Sequence, residues 1–291
     1  MHRVLLPFEF SEPATVAEAV ALADGQRARA LAGGVDLVLK MRLRQIALDR
    51  VVSLQKIPGL DYVRVDRGLK FGALATLRQI ERSPEVRDGW PLLAAAVSSI
   101  VSVQTKTMGT AVGNLCVGTP ASDVAPALLA LEARVRIAGI HGERELPIEE
   151  FFVDAGRTAL GPHEIVAEIV VPAPTSASAG AFLKLSKTRE DIAKINCAVQ
   201  IEVAEETCTQ ARIAVGCTAP TPLRMWEAES LLTGRPLRDA EFAAAAEAAA
   251  EAVSPISDVR STAVYRQEMV RVLVKDALVR AASRAAAERE G

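Results

Sequence analysis

The sequence predicts an α+β chain in two parts, and three observations carry that reading. Up to about residue 170, short strand candidates are interspersed with helices that bear capping signals. Residues 172–178 are then rich in Pro, Ser, Thr and Ala and read as a linker. Beyond them, alternating stretches at 181–186, 196–204 and 210–216 precede three helical ones, the grammar of an antiparallel meander packed on helices.

Composition sets the bounds. A chain of 291 residues, half of them hydrophobic, is long enough for a well-buried core divided into two or three domains. A formal charge of −2 leaves no footprint for nucleic acid or anionic lipid. The first ten residues carry no apolar run of signal-peptide length, and no stretch is apolar enough to span a membrane. The cytoplasm is the expected compartment. The four cysteines (Cys116, Cys197, Cys208, Cys217) include no C-x-x-C pair, and the last three sit in strand-like sequence. They read as buried structural thiols rather than ligands, and His2, His141 and His163 are too scattered to complete a metal site.

Taken in order, Thr15-x-x-Glu18 predicts a capping box opening a helix that ends at Gly25. Residues 28–32 read as a strand running into Gly33-Gly34, after which 37–43 is helical. Residues 50–54 form a strand candidate, and 62–74 a hairpin turning at Asp66-Arg67-Gly68. Thr76-x-x-Gln79 repeats the capping box, and residues 90–100 read as a helix. Residues 133–148 alternate around Gly139 and Gly142 as a second hairpin, Phe151-Phe152 anchors core, and 165–171 is a strand closed by Pro172. Past the meander, Thr221-Pro222 predicts a helix start and Gly234 its end. Residues 240–253 form an alanine-rich helix. Residues 262–284 form an amphipathic one, with Val270, Leu273, Val274, Ala277 and Leu278 inward and Arg266, Arg271, Lys275 and Arg280 on the solvated side.

Two glycine-rich stretches are the chemistry candidates. Residues 107–131 hold Gly109, Gly113 and Gly118 among small hydroxyl residues, then Asp123 and an apolar run. Glycine lets backbone N–H groups crowd around an anion, and a following helix N-terminus adds favourable partial charge. On these residues alone, a phosphate cradle and a tight turn feeding a buried helix are equally good readings. Gly33-Gly34, between strand and helix, is a second cradle candidate with the same ambiguity.

Together, in this order and spacing, the two stretches resemble the FAD-binding subunits of molybdenum hydroxylases, including the medium subunits of carbon monoxide dehydrogenase and the flavin domain of xanthine dehydrogenase. Ala32-Gly33-Gly34-Val35-Asp36-Leu37 is similar to the family's AGGxDL loop, and Thr110-Ala111-Val112-Gly113-Asn114-Leu115 to its TIGGNL loop. Residues 119–123 and 126–131 follow the family's next run, and the likeness continues through 161–172, 184–193 and 257–266. The sequence departs from the pattern at Val112, where glycine is usual, at Val35, where Thr or His is usual, and at Ile100, where xanthine dehydrogenase has an aromatic residue.

The resemblance implies a two-subdomain FAD-binding region of the vanillyl-alcohol-oxidase type over residues 1–174 (about 1–56 and 57–174). It implies a CO-dehydrogenase-flavoprotein-like domain over 179–288. Carried over position by position, Ala32, Gly33, Gly34, Val35, Asp36 and Leu37 form the first FAD loop. Thr110, Gly113 and Asn114 are expected to be the main holders of phosphate and ribityl. Ser122 and Asp123 fall on the nucleotide side, Ile165 and Val166 at the flavin, and Lys184 is the flavin-proximal cation. By itself Asp123 also suits a helix N-cap, and a lysine such as Lys184 ordinarily faces solvent. The implied function is electron transfer between [2Fe–2S] clusters of a small partner and an external acceptor, NAD or a quinone. Substrate chemistry would then take place at a molybdopterin cofactor on a large partner, in a dimer of heterotrimers. No residue of this chain is expected to be catalytic for the substrate or to bind metal. A self-contained FAD oxidoreductase with its own small organic substrate is the alternative.

Overall fold

In a computed structural model, which describes residues 4–24, 27–175 and 177–290, the chain folds into three sheets and a small hairpin, with helices between them. The predicted end of the first helix at Gly25, and His2, lie outside the described residues.

The first sheet is parallel, with β1 (Glu9–Ser11), β2 (Ala28–Leu31) and β3 (Arg50–Ser53) in the order β1-β3-β2. Its crossovers are α1 (Val16–Leu22) and α2 (Val35–Arg42). Thr15 caps α1 by accepting from Glu18 N, but the Glu18 carboxylate reaches back to Ala14 N and not to the cap residue, so the box is displaced by one residue. Gly34 supplies the left-handed turn into α2 at φ 71°.

The second sheet, β4-β5-β10-β6-β7, is antiparallel. Its strands are β4 (Val63–Val65), β5 (Gly68–Gly72), β6 (Arg134–Gly139), β7 (Gly142–Pro147) and β10 (Glu164–Pro172), and the pair β8 (Phe152–Asp154) and β9 (Arg157–Thr158) stands apart. Both predicted hairpins form, with Arg67 (φ 52°), Gly68 (φ 142°) and Gly142 (φ 114°) taking the positive φ such turns need. Six helices intervene: α3 (Leu77–Arg82), α4 (Pro84–Gly89), α5 (Pro91–Ser98), α6 (Val103–Met108), α7 (Ala111–Cys116) and α8 (Val124–Ala130). Thr76 and Gln79 complete a true capping box on α3. Trp90 precedes α5 and donates from Nε1 to Pro172 O at 2.8 Å, tying this helix to the end of β10.

The third sheet is the predicted meander: β11 (Ser178–Leu185), β12 (Ile195–Ala204), β13 (Thr207–Gly216) and β14 (Leu223–Arg224), with β15 (Arg235–Pro236) on β13. Odd-numbered residues of β12 face α9 (Trp226–Leu232), α10 (Asp239–Glu251) and α11 (Ala263–Glu290). Ala198 and Ala214, on the opposite face, join the core that contains α5 and α8. The alternation of β12 follows from this: Ile195, Cys197, Val199, Ile201 and Val203 face the helices, while Asn196, Gln200 and Glu202 fall on the other face.

Two expectations are corrected here. Pro222 does not open a helix: Leu223-Arg224 pair with Val215 and Ala214, and α9 starts only at Trp226, ending at Gly234 (φ 77°) as expected. Arg266 is not on a solvated face. It is 4% exposed and donates to Cys217 O and Asp258 Oδ1, while Arg271 and Lys275 pair outside with Glu247, Glu268 and Asp239.

Candidate functional site

Where β2 turns into α2, Ala32 through Leu37 line a cavity of about 710 Å³, inside the range of cofactor pockets. The opposite wall is built by Thr105, Gly109, Thr110, Val112, Gly113, Asn114 and Cys116, and Ile165 and Val166 of β10 also contribute. A second hollow of about 610 Å³ shares Ala32, Gly33 and Thr110, so the two open on either side of one junction.

That junction is a contact between the two glycine segments. A Cβ on Gly33 would lie 1.8 Å from the Met108 carbonyl oxygen across the junction, while one on Gly109 would lie 3.6 Å from Val35 Cγ2 across it and 2.7 Å from Thr105 O of its own segment. Glycine is required here for close backbone approach, because neither position takes positive φ. Gly118 (φ 64°) serves the same wall from behind: its carbonyl accepts from Gly156 N at 2.8 Å, which seats the turn at residues 156–158 on the cavity rim.

The α2 end of the cavity suits an anion. Val38 N bonds Gly34 O in the helical pattern, while no acceptor among the described residues meets the N–H groups of Val35, Asp36 or Leu37. Three uncapped amides at a helix N-terminus present partial positive charge to the cavity they line. Arg29, Lys40 and Arg157 also line it, against the carboxylates of Asp36 and Glu164. Glu164 is already occupied: hydrogen bonds from Arg144, 2.7 and 2.8 Å long, hold its carboxyl below the usual carboxylate range. The chemistry of this donor set fits the pyrophosphate of a dinucleotide.

The second glycine segment differs from a loop. Thr110 caps the short helix α7, its Oγ1 accepting from Gly113 N at 2.9 Å, and its carbonyl accepts from Asn114 N. The Thr110 hydroxyl and the Gly113 amide, both expected at a phosphate, therefore engage each other. Val112 stands inside this helix, 4% exposed and free of positive φ, so valine replaces the usual glycine without backbone strain. Ile100 packs partly buried against the main core and is outside the cavity wall.

Ser122, Asp123 and Lys184 do not line the cavity either. Lys184 Nζ donates to Asp123 Oδ2 at 2.6 Å, and both side chains are largely buried. Asn196 Nδ2 donates to Asp123 Oδ1 at 2.9 Å and to Ser122 O at 3.0 Å. Ser122 Oγ accepts from Ala125 N, so it is Ser122 that caps α8, and Asp123 makes no capping bond. Ser122 Oγ then donates to Asn114 Oδ1, which brings this network back to the cavity wall.

Sequence reading missed Asn196, the rim at residues 156–158 and the wall cations Arg29, Lys40 and Arg157. The signals were present: an Asn inside the apolar run Ile195-Asn196-Cys197, and Asp154-Ala155-Gly156 as a turn. Among the described residues, no group of three or more His, Cys, Asp or Glu is placed to hold a metal. Burial pushes the thiols of Cys116 and Cys217 up to about 12 and Cys208 up to about 11, and raises Cys197 as well. The native chain is therefore expected to resist alkylation at about pH 8 and to label at all four cysteines once unfolded. Fast labelling of Cys116, which lines the cavity, would contradict that protonation state.

Residues 6–174 match the family model described as the FAD binding domain in molybdopterin dehydrogenase, and residues 180–281 match the CO dehydrogenase flavoprotein C-terminal domain. The chain is 34% identical over 282 residues to the carbon monoxide dehydrogenase medium chain of Hydrogenophaga pseudoflava, covering 96% of this chain and 98% of that one. It is 32% identical over 281 residues to the nicotinate dehydrogenase FAD-subunit of Eubacterium barkeri, covering 94% and 95%. Its structure superposes with a TM-score of 0.94, at 33% identity, on Hydrogenophaga pseudoflava carbon monoxide dehydrogenase lacking the Mo-pyranopterin moiety of the molybdenum cofactor. That match covers 97% of this chain and 99% of the other.

Proposed function

The chain belongs to the FAD-binding subunits of the molybdopterin dehydrogenases and carries their CO dehydrogenase flavoprotein C-terminal domain, and from that membership we propose that it is the electron-transfer subunit of a multi-subunit molybdenum hydroxylase. In this reading, residues 1–174 and 179–288 act as the flavin-binding and C-terminal domains. A small [2Fe–2S] subunit and a large molybdopterin subunit are the partners, in a cytoplasmic dimer of heterotrimers, and electrons leave this chain to NAD or a quinone. Bound flavin supplies chemistry in one- or two-electron steps, which lets the chain couple single-electron carriers to a two-electron acceptor.

The chain's own residues bind and orient. The observation that carries the reading is the cavity where the N–H groups of Val35, Asp36 and Leu37 stand uncapped opposite α7. Those amides hold the pyrophosphate, with Ala32, Gly33 and Gly34 giving the backbone clearance. Thr110, Gly113 and Asn114 form the facing wall, and Ile165 and Val166 exclude water beside the ring system. Ser122, Asp123 and Lys184 contribute from behind that wall: Ser122 donates to Asn114, and Asn196 ties Ser122 to the Asp123–Lys184 pair.

The test is purification of the full chain followed by denaturation. About one FAD per chain, and no FMN, is expected in the supernatant, with no bleaching of the flavin by organic substrates until the partner subunits are added. Turnover of a small organic substrate by the chain alone would instead make it a self-contained oxidoreductase. Purification and reconstitution without any flavin uptake would overturn the cofactor assignment.

A further inference from the structure

We infer that Ser122 is a positioning residue that fixes the carboxamide of Asn114 with its NH₂ group turned to the cavity, so that Asn114 serves the cofactor as a hydrogen-bond donor. The inference rests on the flavin-site reading above and deepens it.

Ser122 is 2% exposed, and its Oγ already accepts from Ala125 N at 3.0 Å as the cap of α8. A hydroxyl carries a single proton, and the acceptor recorded for it is Asn114 Oδ1 at 2.5 Å. Flipping the Asn114 amide would bring Nδ2 to this position and leave the Ser122 proton buried without an acceptor, a costly arrangement. Asn114 Oδ1 is therefore the end turned inward. Nδ2 has no protein acceptor among the described residues and belongs to a side chain that lines the cavity.

Ser122 is in turn held from the C-terminal domain. Asn196 Nδ2 donates both to its carbonyl and to Asp123, and Lys184 closes the other Asp123 oxygen. Gly216 leaves room for Asn196, since a Cβ there would lie 2.2 Å from Asn196 Oδ1. Cys217 N, bonded to Pro120 O at 2.8 Å, anchors the same segment two residues earlier. Residues 120–123 are thus clamped by β11, β12 and the end of β13. The donor presented to the cavity is set by a domain that contributes none of the residues lining it.

The experiment is titration of FAD into flavin-depleted full-length chain for Ser122→Ala, Ser122→Thr, Asn114→Ala, Asn114→Asp and the double alanine variant. Ser122→Ala frees the amide to flip and is expected to weaken FAD about tenfold, the worth of one misdirected hydrogen bond. Ser122→Thr keeps the hydroxyl and is expected to restore native affinity. The double variant should bind no more weakly than Asn114→Ala alone, because the serine acts through the asparagine. Asn114→Asp keeps the acceptor for Ser122 but turns a carboxylate oxygen to the cofactor, so it should bind FAD more weakly than Asn114→Ala. A purely structural serine would not produce that order. If Ser122→Ala fails to fold, the Asp-versus-Ala comparison at position 114 carries the same test with the α8 cap intact. Native affinity in Ser122→Ala, full additivity in the double variant, or Asn114→Asp binding as well as Asn114→Ala would overturn the positioning role. Weak binding in Asn114→Ala and Gly33→Ala alongside any of these would leave the cofactor reading standing. Native affinity in both of those variants would remove the cofactor reading itself.

Discussion

Gly33→Ala is expected to cost the chain its FAD, lowering affinity by about fivefold to somewhat over a hundredfold, the range of an overpacking penalty of roughly 1–3 kcal/mol. The added methyl would sit 1.8 Å from Met108 O, 2.7 Å from Met108 C and 3.0 Å from Gly109 Cα. All three are backbone atoms, so no side-chain rotation relieves the clash. The strand-to-helix turn must move away from the second glycine segment, and the two walls of the cavity part. Gly34→Ala makes a useful comparison: its Cβ meets only the side chains of Leu31 and Val38, and its φ of 71° costs about 1–2 kcal/mol. Gly89→Ala, at the end of α4 with open space around the new methyl, is the control expected to leave flavin content unchanged. Flavin absorbance per chain after gel filtration reads all three. Stoichiometric FAD with native affinity in Gly33→Ala would contradict the contact between the segments.

Truncating Arg224 is expected to give the largest loss of stability. Its side chain is 3% exposed and joins three parts of the molecule. It donates to Glu229 through Nε and NH2, to Glu149 at 3.2 Å, and to Leu129 O at 3.4 Å, with its guanidinium 4.4 Å from the centre of the Trp226 ring. Arg224→Leu leaves the buried Glu229 without its cation, a change that costs about 3–5 kcal/mol. The deficit should depend on pH, and the sign follows from Glu229. Burial raises its carboxyl above the ordinary carboxylate value, and Arg224 partly offsets that rise. Its contribution is therefore fully present below the unfolded value and is lost as pH climbs through the higher folded one. Removing Arg224 raises the folded value further and widens this window. Urea unfolding should show a smaller gap between native and variant chains at about pH 5 than at about pH 8. Equal gaps at both, or a gap below about 1 kcal/mol, would mean that Glu229 is compensated by other groups.

Features written within a few residues were legible in the sequence. Thr76 and Gln79 form the box their spacing announced, Arg67 and Gly142 turn their hairpins, and Val270, Leu273, Val274, Ala277 and Leu278 face the core from α11. The β2–α2 turn at Gly33-Gly34 is equally local. What escaped was settled by distant partners. Pro222 carries a good helix-start signal, but pairing of Leu223-Arg224 with β13 outcompetes it. Arg266 reads as a surface charge until Cys217 O, 49 residues away, takes its guanidinium inside. Lys184 meets Asp123 across 61 residues and Asn196 meets it across 73, so no local pattern announces that network. At Thr110 the capping signal is local, but the glycine content around it reads as a loop where T-x-x-G in fact forms a turn of helix.

A dinucleotide is expected to lie between these two segments with its phosphates on the first turn of α2. The structure of the full chain with FAD bound, read at the pyrophosphate, tests it most directly. Hydrogen bonds from the N–H groups of Val35, Asp36 and Leu37 to the phosphate oxygens are the predicted result. A pyrophosphate bound elsewhere, with those three amides facing only solvent, would contradict it.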